Sequence, residues 1–554
     1  MVHKKEIIYL VLLVAVIAFL YSKIINGFFV QDEWYGFGWY LLRKDLNLFE
    51  LVKFFFAPNV GHYNPLTNLV TSLLFFQWGI NYAKFAAVGI LMHVVVSVAF
   101  YFLAKIIFKG NRILAFFAAL IFGIFASPYQ GVAWMVTNIA TLSSSFLGIV
   151  SAILFFTFLN AGKKHFLVWS LLFLLVSLLF KEITIGLFPL FFVLCLVKTS
   201  GQVERKSAFL VIFFAAGYIL FRTAMFFAPH QTGSFLVNQP PQAGIVIYNF
   251  ITLPIKSLAQ TVVSPEFMKM TSLSLARLFP ASVSGIPGSP VFEVFAVEKI
   301  MEIMTLVVGL VLVFTGLFMV RKSKGKDFKD SVLLGLGWIV INSFIFSISP
   351  GVSRPIFVVD SRNLYFTSVG IAIFLVGLLK LLTGEKTKTF LILTSAILIL
   401  NIYWLNFSIS SFVKVGMIRK NILEKIIGSY PEIPPKVIFF TLSDSSYYGL
   451  PEDEKIFPFQ SGLGQTLLIF YSQKERFPQD FYPGDFLWDI KSQGYREYGS
   501  RGFGYFRDIR KLKEVLRIYK LSPNSVISFS WNSKVGELTD ISDRIRKELY
   551  GTYQ

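Results

Sequence analysis

Long apolar runs broken by short polar interruptions dominate the first three quarters of the chain. Runs able to cross a hydrocarbon core of ~30 Å occur at about 6–26, 85–108, 113–127, 132–159, 166–180, 183–198, 208–228, 298–320, 332–349, 364–382 and 388–409. The pattern predicts about eleven transmembrane helices, three of them (113–127, 166–180, 183–198) short enough to need extended ends or an upright setting. Residues 31–84 form a long first loop with two helix-like patches, DLNLFELVKFFF and PLTNLVTSLLFF, suited to the membrane interface. A second loop, 229–297, holds one apolar run (244–263) interrupted by Pro254 and Lys256, which reads as a partly inserted or interfacial helix.

The period changes near residue 410. KVIFFTLSD, QTLLIFYS and NSVISFSW read as short buried or half-buried strands, while GFGYFRDIRKLKEVLRIYK reads as a turn leading into helix and SDRIRKELY as helix. The expected fold class is therefore an all-α polytopic membrane domain, 1–410, followed by an α/β or α+β domain, 411–554.

Composition agrees with a membrane protein and excludes other classes. The 554 residues are 55% hydrophobic and 15% charged, against roughly 25% charged in soluble domains. The net charge is +20, but residues 411–554 contribute only 21 Lys+Arg against 17 Asp+Glu, leaving 31 against 15 in the apolar part. A basic excess in short loops between apolar helices marks cytoplasmic loops and gives no reason to expect nucleic acid. Alternate loops carry it: Lys4-Lys5, Lys105/Lys109/Arg112, Lys163-Lys164, Lys198/Arg205/Lys206, Arg321 to Lys329 and Lys380/Lys386/Lys388. The N-terminus is then cytoplasmic, and an odd helix count puts the C-terminal domain outside. One cysteine, Cys195, and five histidines without HxxxH spacing offer no disulfide or zinc pattern. The first run lacks a small-x-small cleavage site and reads as a retained helix in a multi-pass plasma-membrane protein.

With that orientation, three polar interruptions emerge on the outer face. Asp32-Glu33 is an acidic loop pair, or a general base or electrostatic stabiliser beside apolar walls. Lys181-Glu182, between two very apolar runs, is a hairpin tip whose charges pair with each other, or a phosphate-holding cation oriented by its carboxylate. Asp360-Ser361-Arg362 follows Ser353-Arg354 and opens a helix. Arg362 there pairs with Asp360, or grips a phosphate together with the helix N-terminal amides. His62 and Tyr63 could line a cavity, and His93, on an apolar helix, reads as a packing residue with its polar atoms satisfied.

The order DE, HYNPL, an apolar helix ending in LMH, PYQGVAW, LLFKE and DSRNLYFTSVG resembles the GT-C superfold of membrane glycosyltransferases over residues 1–410. It looks closest to the branch of protein O-mannosyltransferase-like and tetratricopeptide-linked mannosyltransferase-like proteins, without their helical repeats. The resemblance implies transfer of a sugar from a polyprenyl-phosphate-linked donor to a lipid, glycan or protein acceptor on the extracytoplasmic face, with inversion. Asp32 matches the catalytic acidic residue, with Glu33 beside it. Lys181 and Glu182 match an SKE-like motif, and Arg362 with Tyr365 an RYLYLPS-like motif, at the donor phosphate. Asn64 stands where the family often has arginine, and Asn363 and Thr367 where Tyr and Pro are common. An acidic pair can bind a divalent metal, but related enzymes with a DE pair are often metal-free, so no cofactor is expected. A lipid-linked sugar flippase and a non-catalytic glycan-binding scaffold are the rival readings; no internal repeat of the transporter kind is visible.

Overall fold

The computed structural model describes residues 4–58, 63–197, 202–227, 242–278, 290–323, 328–347, 355–447, 454–459, 462–473, 477–482 and 486–551. The chain divides into two compact units. The first comprises residues 1–23, 53–68 and 86–410; the second, 24–52, 69–85 and 411–554.

The first unit is helical. Among the described residues of the whole chain, nine helices are long and apolar enough to cross a membrane. Eight coincide with expected spans, the last of them running on as one helix, Thr387–Ser429. These helices make the chain a membrane protein, with a lipid bilayer as its surroundings. The expected span at 113–127 is instead a bent pair, Arg112–Ile124 and Ser127–Ala133, meeting at 65°. The runs at 166–180 and 183–198 form the shorter apolar helices Lys164–Phe180 and Glu182–Val197.

The ninth helix is the run expected to be interrupted at Pro254 and Lys256. Ala243–Val262 is continuous, with Pro254 inside it. Lys256 does not break it, because its ammonium is buried against Glu302 of the Pro290–Lys322 helix at 2.7 Å. A charge so placed is tolerated in an apolar helix only when a partner meets it.

Helices Met135–Ala161 and Lys164–Phe180 pack closely through small residues. Ser151 Oγ donates to the Ser170 carbonyl, and Ser170 Oγ returns a bond to the Ser151 carbonyl, each at 2.8 Å. Gly148 lets the turn after the Lys164–Phe180 helix approach as well, since a Cβ there would stand 2.6 Å from Thr184 Cγ2.

The second unit carries a five-stranded mixed sheet: β1 (Lys436–Ser443), β2 (Gly494–Tyr498), β3 (Arg501–Phe506), β4 (Val526–Asn532) and β5 (Glu537–Asp540). The spatial order is β2-β3-β1-β4-β5. Central β1 runs parallel to β3 and β4, with Phe439 opposite both Tyr505 and Ile527, and antiparallel β2 and β5 close the edges. Central β1 is buried on both faces, which is why KVIFF reads as a continuous apolar run rather than an alternating one. Ile438 and Phe440 pack with Leu512, Leu516, Ile545 and Leu549 of the helices Ile509–Ile518 and Ser542–Tyr550. Phe439, on the opposite face, stacks on Tyr471 with centroids 5.7 Å apart.

Two expectations fail here. QTLLIFYS lies in a helix, Leu463–Tyr471, not a strand. A short, wholly buried apolar run carries no period to separate the two, and its Leu-rich composition suits a helix. GFGYF is the strand β3, not a turn. Its glycines allow close approach of Tyr495: a Cβ at Gly502 would stand 2.6 Å from Tyr495 Cζ, and one at Gly504 would stand 2.9 Å from Tyr495 Cδ2. The first loop also contributes to this unit. In the helix Asp32–Leu41, Phe37 stacks on Phe75 at 4.5 Å, Trp34 lies 6.3 Å from Phe470, and Tyr35 lies 5.3 Å from Trp488.

Candidate functional site

The Lys164–Phe180 helix ends because Lys181 adopts an extended backbone (φ −165°, ψ 143°). Hydroxyls from neighbouring helices hold the break. Thr67 Oγ1 donates to the Phe180 carbonyl at 2.7 Å, and Ser144 Oγ donates to the Lys181 carbonyl at 2.8 Å. Each satisfies a backbone group that the helix end would otherwise leave orphaned.

The Lys181 ammonium donates to Thr141 Oγ1 at 2.9 Å. Burial, and next the nearby Arg362 guanidinium, lower its pKa to about 7, with Asp360 pulling the other way. Lys181 and Arg362, apart by 181 positions in sequence, are thus close enough to feel each other's charge. Arg362 stacks over the Trp134 ring at 4.7 Å, and its contact with Asp360 is long, 3.5 Å, with the Asp360 side chain 62% exposed. Trp134 caps the Met135–Ala161 helix, which also bears Thr141 and Ser144, so one helix end carries all three supports. The indole Nε1 of Trp134 finds no acceptor among the described residues.

The turn bearing Arg362 is fixed from two sides. Ser361 Oγ donates to the Ser127 carbonyl and accepts from Gln130 N at 3.2 Å. The Ala243–Val262 helix grips the preceding segment: Asn249 Oδ1 accepts from Ile356 N at 2.9 Å, Lys256 Nζ donates to the Ile356 carbonyl at 2.7 Å, and Gln260 Oε1 accepts from Val359 N at 3.0 Å. Residues 249, 256 and 260 share one helix face.

Glu182 does not orient Lys181. Its Oε1 takes Arg222 Nε at 2.7 Å and the Tyr218 hydroxyl at 3.0 Å. Arg222 in turn lies over the Tyr63 ring at 5.3 Å, and Tyr63 is buried with its hydroxyl donating to the Phe56 carbonyl at 3.2 Å. Tyr63 thus packs beneath Arg222. His62 and Ser353-Arg354 lie outside the described residues.

Tyr365 is not brought to the cations. It is 1% exposed and its hydroxyl meets His93 Nδ1 at 2.6 Å. His93 Nε2 lies 2.9 Å from the Gly123 carbonyl, which can only accept, so Nε2 carries the proton and Nδ1 receives the tyrosine's. His93 is the satisfied packing residue its apolar helix suggested.

Asp32 and Glu33 belong to the second unit, at the first turn of Asp32–Leu41, where carboxylates suit the helix dipole. Glu33 is 1% exposed and Oε2 accepts from Gln31 N at 2.9 Å, so it caps this helix. Asp32 is half-buried. Among the described residues no three His, Cys, Asp or Glu side chains gather where they could hold a metal ion.

Thr141 and Arg222 are groups that reading the sequence missed, while Trp134 was read only as the end of PYQGVAW and Lys256 only as an interruption of its run. Arg222 and Lys256 had a signal, each being a lone cation in an apolar run; Thr141 had none. No family model matches the chain, and no curated protein matches it.

Proposed function

We propose that this protein is an integral-membrane glycosyltransferase of the GT-C kind, taking a sugar from a polyprenyl-phosphate-linked donor. The observation that supports this reading is the Lys181–Arg362 pair. Two cations share a half-buried site, the neighbouring carboxylate Glu182 is spent on Arg222, and Asp360 offers only a long, exposed contact. A phosphate is the ligand that would relieve this repulsion, with the Trp134 indole N–H as a further donor.

In the proposed reaction an acceptor hydroxyl or amide attacks the anomeric carbon. The sugar C1–O bond to phosphate breaks, its electron pair leaves with the polyprenyl phosphate, and the acceptor proton passes to a base. Negative charge therefore grows on the phosphate, where Lys181 and Arg362 stabilise the transition state. Asp32 is proposed as the base on the strength of its motif match; Glu33 is the weaker choice because its carboxylate already caps a helix. Tyr365 has no part, its hydroxyl being committed to His93. The basic loops favour a plasma-membrane setting with the N-terminus cytoplasmic and transfer on the outer side.

The test is release of polyprenyl phosphate by the full-length protein in liposomes supplied with synthetic polyprenyl-phosphate sugars. Lys181→Met and Arg362→Ala are each expected to slow release by about 10²–10³-fold, the usual effect of removing one charge-stabilising donor. Unchanged transfer by Asp32→Asn would take the base from Asp32. A donor that crosses the bilayer with its sugar–phosphate bond intact would identify a flippase instead.

A further inference from the structure

A groove of about 880 Å³ runs between the Tyr82–Ile107 and Met135–Ala161 helices, away from the cation pair. Val94, Val98 and Phe102 line it on one side, and Phe146, Val150 and Ile153 on the other. Its far end changes character: Lys105, Lys109, Gly110 and Asn160 close it. Asn160 lies ~28 Å along its helix from Thr141, at 1.5 Å per residue, so this is not the donor-phosphate site. We propose that the groove binds an anionic phospholipid, its acyl chain between the two helices and its phosphate at Lys105 and Lys109.

The helical lining from Val94 to Ile106 spans ~18 Å, more than the ~15 Å depth of one leaflet. It can therefore take an acyl chain from headgroup level to the bilayer midplane. The choice of headgroup rests on charge. Lys105, Lys109 and Arg112 gather at this end, with Glu6 bound to Lys105 at 2.5 Å and to Arg112 at 3.8 Å. The chain turns here through left-handed backbone at Lys109 (φ 51°) and Gly110 (φ 85°), and both residues are exposed, so a phosphate can reach the turn from the bilayer surface. Basic pockets between membrane helices favour anionic headgroups at ~1 kcal/mol per cation. This site does not depend on the transferase reading.

Lys109→Gln removes a headgroup cation while Glu6 keeps Lys105 and Arg112, and Val98→Trp fills the groove. The full-length protein is taken from vesicles of phosphatidylcholine and phosphatidylglycerol, and the lipid it keeps is weighed by native mass spectrometry. The expected result is preferential retention of phosphatidylglycerol, about fivefold weaker in Lys109→Gln, with a comparable or larger loss in Val98→Trp. Equal retention of both lipids, or full retention by the Lys109→Gln protein, overturns the proposal. So does displacement of the retained phospholipid by a polyprenyl phosphate when one is added to the same vesicles. If Val98→Trp does not elute as a folded protein, the Lys109→Gln comparison decides alone.

Discussion

Lys256 and Lys181 both sit among apolar helices of the first unit, and their partners differ. Lys256, with no side-chain exposure, meets Glu302 at 2.7 Å and the Ile356 carbonyl at the same distance, and Lys299 adds a second cation 3.5 Å from the other Glu302 oxygen. Lys181 has a threonine hydroxyl, an arginine nearby and a carboxylate that faces elsewhere. The first arrangement is complete and holds the 356–359 segment in place. The second sets two cations against one carboxylate, Asp360, whose contact with Arg362 is long and exposed, an imbalance that the proposed anionic ligand would offset.

The widest separation between the two should come from Lys256→Met. It takes from Glu302 its buried partner, leaving the Tyr248 hydroxyl and the more exposed Lys299, and is expected to cost about 3 kcal/mol, read as a lowered unfolding midpoint in detergent. Replacing Glu302 with Leu as well should recover much of that loss. Lys181→Met should do the opposite: the fold persists or gains stability, since an ill-matched buried charge is removed, while transfer falls by about 10²–10³-fold. If Lys181→Met unfolds the protein as Lys256→Met does, the contrast collapses.

A pH series sharpens the same point. Lys181 titrates at about 7 in the folded chain, below the ~10.4 of a free lysine. The unfolded chain therefore holds more protons between these values, and this group makes folding stability rise with pH across that window. Binding of a phosphodiester, which keeps its single charge, should go the other way. It should be insensitive to pH below about 7 and weaken by up to tenfold per unit above it, and Lys181→Met should flatten the curve. The smallest effect belongs to Tyr365→Phe, which removes one buried hydrogen bond to His93. It should cost about 1 kcal/mol of stability and leave the transfer rate unchanged; a large rate loss would return Tyr365 to the site.

Much of the helical layout was legible because a membrane helix announces itself by length and apolarity alone. The Ala243–Val262 helix was read as interrupted because Lys256 stands in an apolar run, whereas its charge is met by Glu302, 46 residues later. Leu463–Tyr471 was misread because burial on all sides erases period. In the site, Lys181 and Arg362 stood out as charges in apolar surroundings. Glu182 stood out equally, yet its partner is Arg222, a choice no local pattern records. Tyr365 looked like a donor contact until its hydroxyl was found on His93.

Sequence alone determined that this is a membrane protein with a mixed helix-and-strand C-terminal region, and that a few charges are held in apolar stretches. Hydrophobic burial and charge desolvation act on each residue wherever it lies, so composition and period reveal them. Tertiary structure alone decided which charges are matched. Pairing depends on distances of a few ångströms between residues tens to hundreds of positions apart, and these distances give Lys256 a carboxylate partner and turn Glu182 away from Lys181 towards Arg222.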